Sequence, residues 1–523
     1  MKKASQSIVK AVALITLFTI LTRFAGFFLR IFLSRTIGAE ALGMYQLAFS
    51  IFAVLLTIVA SGLPLTVSKL TSAETGIDSK KNNAKIVSGA LLIAFISSVI
   101  LCLVVLIFRN FLSAILTDEN CIKILIVLLP SVVFSGIYSV FRGYFWGKQN
   151  YFAVCIVELF EQVARIGICV LMLIGTFSVL DKAISAGASL SIACALSMIL
   201  VAIMYFKSGG RLGKPTIKKI VKSAAPVTGV RIAGSLVQPL IAIIIPIQLV
   251  ASGYTTSSAL SMLGIATGMT LPLLFIPSTL VSSLSMALIP DISQANSLGK
   301  NEHIISRVQS SLNFCIFVSL FFVPIFIGAG ETIGKFFFGN IQSGILLSSF
   351  AWIMVPMGIT NITSAFLNAL GLETKSFKNY VLGSLILILC IWLLPKYIGI
   401  KSLGYGMGLC MILTSVLNIS LLKRKTNSNY IIFKPLIIMG LLVVPSAAIT
   451  SFTCGLLSNF FTDFFTLAIS CSLGAIFYVV LCQIFKIVSF DTYFIKFKQK
   501  ANSIKETYKK IKKRRKQKLV PNV

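Results

Sequence analysis

The chain has 523 residues, of which 57% are hydrophobic and 12% are charged, and its mean hydropathy is +0.95. Soluble globular proteins contain roughly 45–50% apolar and about 25% charged residues, so this composition excludes a soluble enzyme, a nucleic-acid-binding module and a disordered chain. The formal net charge of +32 comes from 47 Lys and Arg residues against 15 Asp and Glu residues. The bilayer must be the main solvent of this chain, which has room for about 12 to 15 transmembrane helices of about 20 residues each.

The sequence predicts fourteen apolar segments that are long enough to cross a bilayer. Continuous apolar runs of about 20 residues suit helices, whereas a membrane strand needs only about 9–11 alternating residues. The predicted limits are 11–34, 42–66, 86–108, 123–145, 152–178, 183–206, 224–250, 257–287, 305–328, 342–369, 377–395, 402–422, 431–456 and 464–485. The first run follows Lys2, Lys3 and Lys10 as in a signal peptide, but it carries Arg23 and Arg30 and is interpreted as a retained span.

The distribution of Lys and Arg residues predicts the orientation of these spans. With the N-terminus in the cytoplasm, 36 of these 47 residues fall in cytoplasmic segments, 7 in outer loops and 4 within spans. The positive-inside rule therefore favours a multi-pass protein of the cell membrane with both termini in the cytoplasm. The strongly basic segment Lys496–Lys518 is typical of attraction to anionic lipids of the inner leaflet, and no nucleic-acid partner is expected.

A short internal repeat predicts how the helices are organised. The sequence RFAG at Arg23–Gly26 in the first span recurs as RIAG at Arg231–Gly234 in the seventh. We therefore expect an all-α integral membrane protein with two pseudo-repeated six-helix lobes around a central cavity, where such repeats place their substrate site. The predicted divisions are an N-terminal lobe at 1–206, a basic cytoplasmic loop at 207–222, a C-terminal lobe at 223–422, two additional spans at 423–486, and a basic cytoplasmic tail at 487–523.

Arginines inside the spans are the main candidates for a binding site. A charged residue within the bilayer is costly and usually faces a cavity or a partner. Arg23 and Arg30 are seven residues apart, which puts them on one face of the first helix. Arg231 occupies the matching repeat position, and Arg165 lies in the fifth span. Because the planar guanidinium group binds phosphate well, these four residues predict an anion site, although Arg30 snorkelling to the outer interface is an alternative.

The fifth span carries a row of charged residues. Glu158, Glu161 and Arg165 lie on one helical face, and Glu161 and Arg165 are spaced to form an ion pair. One interpretation is that this row locks helices together. The other is that the two carboxylates bind H⁺ or Na⁺ and couple the ion to transport. The sequence leaves both open.

Nothing in the sequence favours enzymatic chemistry, a cofactor or a metal site. The single histidine, His303, is interpreted as a solvated residue of a cytoplasmic loop. The 11 cysteines are scattered through apolar runs without CxxC spacing and are interpreted as small buried hydrophobic residues. No phosphate-binding loop, HExxH motif or nucleophile elbow is present.

Several longer stretches carry a family resemblance. They are Thr22–Phe27, Arg35–Tyr45, Gly62–Pro64 with Ser68–Leu70, Phe141–Asn150, Glu161–Ile166 and Ala287–Ser293. The most specific are RGYF-x-GKQN within Phe141–Asn150 and EQ-x-x-RI within Glu161–Ile166. With these stretches the chain resembles the stage V sporulation protein B family, within the multidrug/oligosaccharidyl-lipid/polysaccharide (MOP) exporter superfamily.

The resemblance implies a flippase that moves an undecaprenyl-pyrophosphate-linked sugar, a peptidoglycan precursor like lipid II, for the spore cortex. It implies a lipid-linked glycan and membrane lipids as partners, together with cell-envelope synthesis proteins. Related lipid II flippases use cationic residues in a central cavity, and Arg23 matches one of them. Two other classes stay open: a cation-coupled multidrug exporter of the same superfamily, with Glu158 or Glu161 as the ion site, and a non-transporting scaffold for envelope assembly.

Overall fold

A computed structural model describes residues 2–74, 79–176 and 178–485. The predicted basic tail at 487–523, including Lys496–Lys518, lies outside these residues. Within the described ranges the chain forms helices joined by turns, and no strand occurs. The predicted all-α membrane fold is confirmed.

The helices of the first half follow the predicted apolar segments. They are α1 (Lys2–Ala60), α2 (Leu63–Ala73), α3 (Ser79–Ile107), α4 (Arg109–Ile115), α5 (Asn120–Gly147), α6 (Tyr151–Leu173), α7 (Val179–Lys207), α8 (Lys218–Ser235), α9 (Val237–Ala251), α10 (Thr256–Leu263), α11 (Leu271–Phe275) and α12 (Ser278–Ser297). A π-helical turn at Gly264–Thr270 joins α10 to α11.

The helices of the second half are mostly long and apolar. They are α13 (Asn301–Phe338), α14 (Ile341–Phe350), α15 (Met354–Ala369), α16 (Glu373–Leu393), α17 (Pro395–Ile398), α18 (Lys401–Thr426), α19 (Phe433–Leu441), α20 (Val443–Leu457) and α21 (Asp463–Ile484). A 3₁₀ turn at Ala351–Ile353 joins α14 to α15. Over the described residues, eleven helical segments are long and apolar enough to cross a membrane, and α9 is a shorter apolar helix. The protein is a multi-pass membrane protein, and the total of fourteen crossings stays a prediction.

The first two predicted spans lie on one continuous helical run. The helix α1 is 59 residues long, and Gly38 interrupts it with φ 82° and ψ 175°. Only glycine adopts this backbone conformation without strain. The interruption divides α1 into an arm that carries Arg23 and Arg30 and a second segment that begins at Ala39. The chain therefore changes direction at Gly38, between residues that line the same cavity.

The two halves of the chain meet along α1. The helices of the first half pack mainly against one another, namely α1, α2, α3, α5, α6 and α7. From the second half, α1 also contacts α8, α10, the π-helical turn and α13. The tightest of these contacts involves two glycines, because a Cβ atom on Gly43 would lie 1.9 Å from the carbonyl oxygen of Leu260, and one on Gly264 would lie 2.1 Å from that of Ala39. Small residues allow such close helix packing in membranes.

The segment between α7 and α8 packs against the first half. The Tyr205 hydroxyl donates to the Arg211 carbonyl at 2.7 Å, and the Gly213 amide donates to Ser88 Oγ at 2.9 Å. The Thr216 amide donates to the Lys85 carbonyl at 3.3 Å. The predicted basic loop at 207–222 is thus an ordered connection as far as residue 217, and its last residues already belong to α8.

Candidate substrate-binding cavities

Three of the predicted arginines line one cavity between the two halves of the chain. This arginine cavity has a volume of about 480 Å³. Its walls are Thr22, Arg23, Gly26, Phe27, Leu29, Arg30, Leu33, Leu42, Tyr45, Gln46, Phe49, Gln162, Arg165, Pro272, Phe275, Ile276 and Thr279. No carboxylate occurs among these residues. The cavity therefore concentrates positive charge without a neutralising partner in its own walls.

The break at Gly38 explains why α1 supplies so much of this wall. Arg23 and Arg30 come from the arm before the break, and Tyr45, Gln46 and other residues come from the segment after it. Both arginines are exposed to the cavity. Arg30 therefore lines the cavity with Arg23.

Arg165 is held by a tyrosine and does not form the predicted ion pair with Glu161. Its Nη2 atom donates to the Tyr45 hydroxyl at 2.6 Å, and its Nε atom is buried without a hydrogen-bond partner among the described residues. Tyr45 is 4% exposed, and its ring stacks on Phe49 with the centroids 5.6 Å apart. Because the hydroxyl is a neutral acceptor, it orients the guanidinium group without cancelling its charge.

A second cavity adjoins the first and has a different charge pattern. This mixed-charge cavity has a volume of about 420 Å³ and shares Thr22 and Gln162 with the arginine cavity. Its walls are Thr22, Leu56, Thr57, Ala60, Ser61, Ser135, Tyr138, Ser139, Arg142, Glu158, Glu161, Gln162 and Arg231. Two arginines and two carboxylates balance in formal charge. Several of its polar atoms lack partners within the described residues, namely Ser61 Oγ, the Tyr138 hydroxyl and Arg142 Nε.

Arg142 is a site residue that sequence reasoning missed. Because it lies near the end of α5, it is counted with the cations of a cytoplasmic loop. In the structure its Nη1 atom instead lies 3.6 Å from Oε1 of Glu158. Its guanidinium carbon lies 4.9 Å from the centroid of the Trp146 ring. The i, i+4 spacing of Tyr138, Arg142 and Trp146 on one helical face could have indicated this arrangement.

The structure thus sorts the six predicted site residues into two adjoining cavities. Arg23, Arg30 and Arg165 line the arginine cavity, and Arg231, Glu158 and Glu161 line the mixed-charge cavity. Glu161 makes no ion pair or hydrogen bond with any residue that the structure describes.

The single histidine lies away from both cavities and is not in a loop. His303 belongs to the first turn of α13, and its Nε2 atom lies 3.1 Å from Oδ1 of Asp291. Arg307 Nε lies 3.0 Å from Oδ2 of the same aspartate. The cysteines are free thiols, and within the described ranges no group of three His, Cys, Asp or Glu side chains is arranged to hold a metal.

The sequence of this chain is similar to a protein family and to several known proteins. Residues 8–296 match the family model described as polysaccharide biosynthesis protein. The chain is 27% identical over 443 residues to stage V sporulation protein B of Bacillus subtilis (strain 168), covering 82% of this chain and 84% of that protein. It is 20% identical over 423 residues to lipid II flippase MurJ of the same organism, covering 73% and 76% respectively.

Two solved structures extend the comparison to three dimensions. Lipid II flippase MurJ in an inward closed conformation matches with a TM-score of 0.68 and 16% identity, over 90% of this chain and 98% of that one. A multidrug resistance MATE family transporter of the MOP superfamily, inward-facing, matches with a TM-score of 0.66 and 13% identity, over 78% and 94%. At these identities the likeness shows the fold alone, which this chain shares with both transporters. The family model spans more than half of the sequence, and the chain belongs to the polysaccharide biosynthesis protein family.

Proposed function

We propose that this protein is a flippase that moves an undecaprenyl-pyrophosphate-linked oligosaccharide, of the lipid II type, from the inner to the outer leaflet by alternating access. The observation that carries this proposal is the arginine cavity, which three arginines line between the two halves of the chain and in whose wall no carboxylate occurs. The likeness to stage V sporulation protein B and to lipid II flippase MurJ supports it. The protein is accordingly a transporter rather than an enzyme. The likeness to stage V sporulation protein B supports a role in sporulation, and we propose that its substrate serves the spore cortex.

The pyrophosphate docks in the arginine cavity. Arg23 and Arg30 reach it from one helical face, and Arg165 reaches it from α6 in the orientation that Tyr45 sets. Charge-assisted bonds from planar guanidinium groups are strong and directional, which suits a group with several acceptor oxygens. A neutral lipid alcohol lacks these acceptors and binds weakly.

The sugar occupies the mixed-charge cavity. Two arginines, two carboxylates and several polar atoms without partners among the described residues offer both donors and acceptors for hydroxyl groups. Arg231 belongs to this cavity, so we assign it to the sugar side of the head group, next to the pyrophosphate. The polyprenyl tail stays in the lipid.

Glu161 is proposed as the site that couples an ion to transport. Glu158 is already paired with Arg142, whereas Glu161 has no ion-pair partner in the part of the chain that the structure describes. A carboxylate of this kind in a cavity wall is suited to bind H⁺ or Na⁺.

We also propose how the chain is divided and oriented. The two lobes span 1–206 and 223–422, two added spans lie at 423–486, and both termini are cytoplasmic. The structure supports a common basic face: Lys80 near the start of α3, Lys148 after the end of α5 and Lys207 at the end of α7 all lie where the helices begin or end on one side. We assign that face to the cytoplasm by the positive-inside rule. Cell-envelope synthesis proteins there would supply the substrate.

Binding of undecaprenyl pyrophosphate to the purified protein tests the proposal. We expect Arg23→Gln, Arg30→Gln and Arg165→Gln each to weaken binding about tenfold, since each removes a charge-assisted contact. Lipid II should respond in the same way, and a neutral polyprenol should bind weakly to every variant. The matched control is Arg109→Gln, an exposed arginine in α4 outside both cavities. Unchanged affinity in all three cavity variants would refute the anion site.

Drug susceptibility separates the flippase from the multidrug exporter. Expression in a strain that lacks its own pumps should leave resistance unchanged if the substrate is a lipid-linked glycan. A rise in resistance that Glu161→Gln abolishes would instead favour the cation-coupled exporter.

A further inference from the structure

A third cavity lies apart from the two described above, where α3 begins and α5 and α7 end. This basal cavity has a volume of about 370 Å³. Its walls are Ser79, Lys80, Asn83, Tyr144, Phe145, Lys148, Asn150, Tyr205, Ser208, Gly209, Gly210 and Arg211. We propose that it is a binding site for a phosphate-bearing anion, either the head group of an anionic phospholipid or a free phosphate compound.

The charged side chains that line the basal cavity within the described ranges are all positive. Lys80, Lys148 and Arg211 come from three different segments of the chain and all line it, and none of the described wall residues is acidic. The helix α3 begins here and has no acidic residue in its first turn. The N-terminal end of a helix carries positive partial charge, which adds to the potential of the three side chains.

One buried amide oxygen in the wall of the cavity has no hydrogen-bond partner in the part of the chain that the structure describes. Asn83 is 4% exposed and lines the cavity, and its Oδ1 atom is buried with no hydrogen-bond donor from the described residues. Buried polar atoms are almost always paired, so an unpaired one marks a place where a ligand or a water belongs. A phosphate ester with a hydroxyl group, such as the glycerol head group of a phospholipid, supplies that donor.

The three cations are not needed to cap the neighbouring helices. At the end of α5 the Tyr144 carbonyl accepts the Lys148 amide at 3.0 Å, and at the end of α7 the Tyr205 carbonyl accepts the Gly210 amide at 3.0 Å. Main-chain turns therefore satisfy carbonyls that would otherwise attract basic side chains. Among the residues that the structure describes, no ion pair or hydrogen bond engages the charged ends of Lys80, Lys148 and Arg211.

A ligand at this position would hold the connection between the two halves of the chain. Arg211 belongs to the segment between α7 and α8, and its carbonyl accepts the Tyr205 hydroxyl at 2.7 Å. The specific motif at Phe141–Asn150 also serves two cavities, since Arg142 lines the mixed-charge cavity and Lys148 lines the basal one. An anion in the basal cavity thus contacts the connecting segment and the helix that carries Arg142 at once.

Direct binding to the full-length protein in detergent tests the site. One arm counts bound phosphatidylglycerol by native mass spectrometry, with phosphatidylcholine as the zwitterionic control. The other arm measures radiolabelled inorganic phosphate by equilibrium dialysis. The site variant is Lys80→Gln/Lys148→Gln/Arg211→Gln. The matched control, Lys214→Gln/Lys218→Gln/Lys219→Gln, removes the same charge from exposed neighbours that do not line the cavity.

We expect the site variant to weaken saturable binding at least about tenfold and the control to change it less than about twofold, because only the former removes direct contacts. Binding in the phospholipid arm alone identifies a lipid head group, and saturable binding of phosphate identifies a free compound. Equal losses in the two variants, or no saturable binding in either arm, would overturn the proposal.

Two single variants test the site in case the triple variant does not fold. Arg211→Gln changes an exposed side chain and should weaken binding about threefold or more on its own. Asn83→Leu keeps every charge, and it should weaken phosphatidylglycerol more than inorganic phosphate. Wild-type affinity in both would also refute the site. These measurements read binding rather than transport, so their failure leaves the proposed flippase function untouched.

Discussion

The Nε atom of Arg35 donates a hydrogen bond to the main-chain carbonyl of Phe337 at 2.9 Å. The Nη2 atom of the same guanidinium group donates to the carbonyl of Phe336. One arginine near the break in α1 therefore satisfies two carbonyls at the end of α13. Since the C-terminal end of a helix carries negative partial charge, this contact ties the first half of the chain to the second at the face opposite the basal cavity.

Arg35→Gln should loosen the contact between α1 and α13. The loss of a cation at a helix C-terminus is worth about 1 kcal/mol, which corresponds to roughly a fivefold increase in local opening. Amide hydrogen exchange at the end of α13 measures it. The control Arg109→Gln removes the same charge from an exposed arginine of α4, a helix that packs on α3 and α5 and away from α13. Equal exchange rates in the two variants would contradict the role assigned to Arg35.

Tyr45→Phe should weaken pyrophosphate binding although it removes no charge. The phenol orients Arg165 through a bond of 2.6 Å, and without it the guanidinium group samples other rotamers. We expect the Kd for undecaprenyl pyrophosphate to rise about threefold to tenfold. Tyr45→Phe combined with Arg165→Gln should be no worse than Arg165→Gln alone. Additive losses in this double variant would mean that Tyr45 acts on the ligand by another route.

Arg142 and Glu158 should show only modest energetic coupling. Their side chains are 29% and 37% exposed at a separation of 3.6 Å, and partly exposed ion pairs are typically worth about 0.2–1 kcal/mol. A double-mutant cycle with Arg142→Gln and Glu158→Gln, read from the free energy of unfolding, gives the coupling. A value near zero would show that the ion pair adds nothing to stability.

Glu161→Gln should uncouple transport from an ion gradient while the substrate still binds. In proteoliposomes we expect the variant to lose the response of its transport rate to an imposed proton or sodium gradient. The matched control Glu331→Gln changes an exposed carboxylate in α13 that lies in none of the three cavities. A gradient response that survives in Glu161→Gln would remove this residue as the coupling site.

Gly43→Ala should destabilise the protein because its new methyl group would lie 1.9 Å from the Leu260 carbonyl oxygen. Overpacking of this kind costs about 1–3 kcal/mol, so the thermal unfolding midpoint should fall. The control Gly167→Ala adds a methyl group with no neighbour within 4 Å, and it should raise the midpoint because alanine favours the helix by about 0.5–1 kcal/mol. A midpoint that is unchanged in Gly43→Ala would mean that the two halves separate easily there.

The sequence predicted the helices well because length and hydropathy determine which segments can cross a bilayer. It also identified Arg23, Arg30 and Arg165 as cavity residues, since an arginine in a span needs a polar environment. It missed Arg142. The positive-inside rule counts a cation near the end of a span as part of a solvated cytoplasmic loop, and Arg142 is counted in that way. It paired Arg165 with Glu161, because spacing within one helix says nothing about Tyr45, which is 120 residues away in sequence.

The basal cavity could not be predicted for a similar reason. Lys80, Lys148 and Arg211 belong to three separate basic stretches, each of which the positive-inside rule explains by itself. Only the packing of the segment after α7 against α3 brings them to one cavity. The pattern of charges along a chain indicates how its spans are oriented in the membrane. A binding site is recognised only when charges from separate segments lie together in the folded structure.

The break at Gly38 makes the arm ahead of it a lever. Arg30 lies eight residues before the pivot, about 12 Å along the helix axis, and Arg35 lies three residues before it. Any rotation about the backbone of Gly38 swings both arginines together, because the helix between them is continuous. Arg30, which lines the ligand cavity, and Arg35, which contacts α13, therefore belong to one rigid helical segment. A movement of one of them displaces the other.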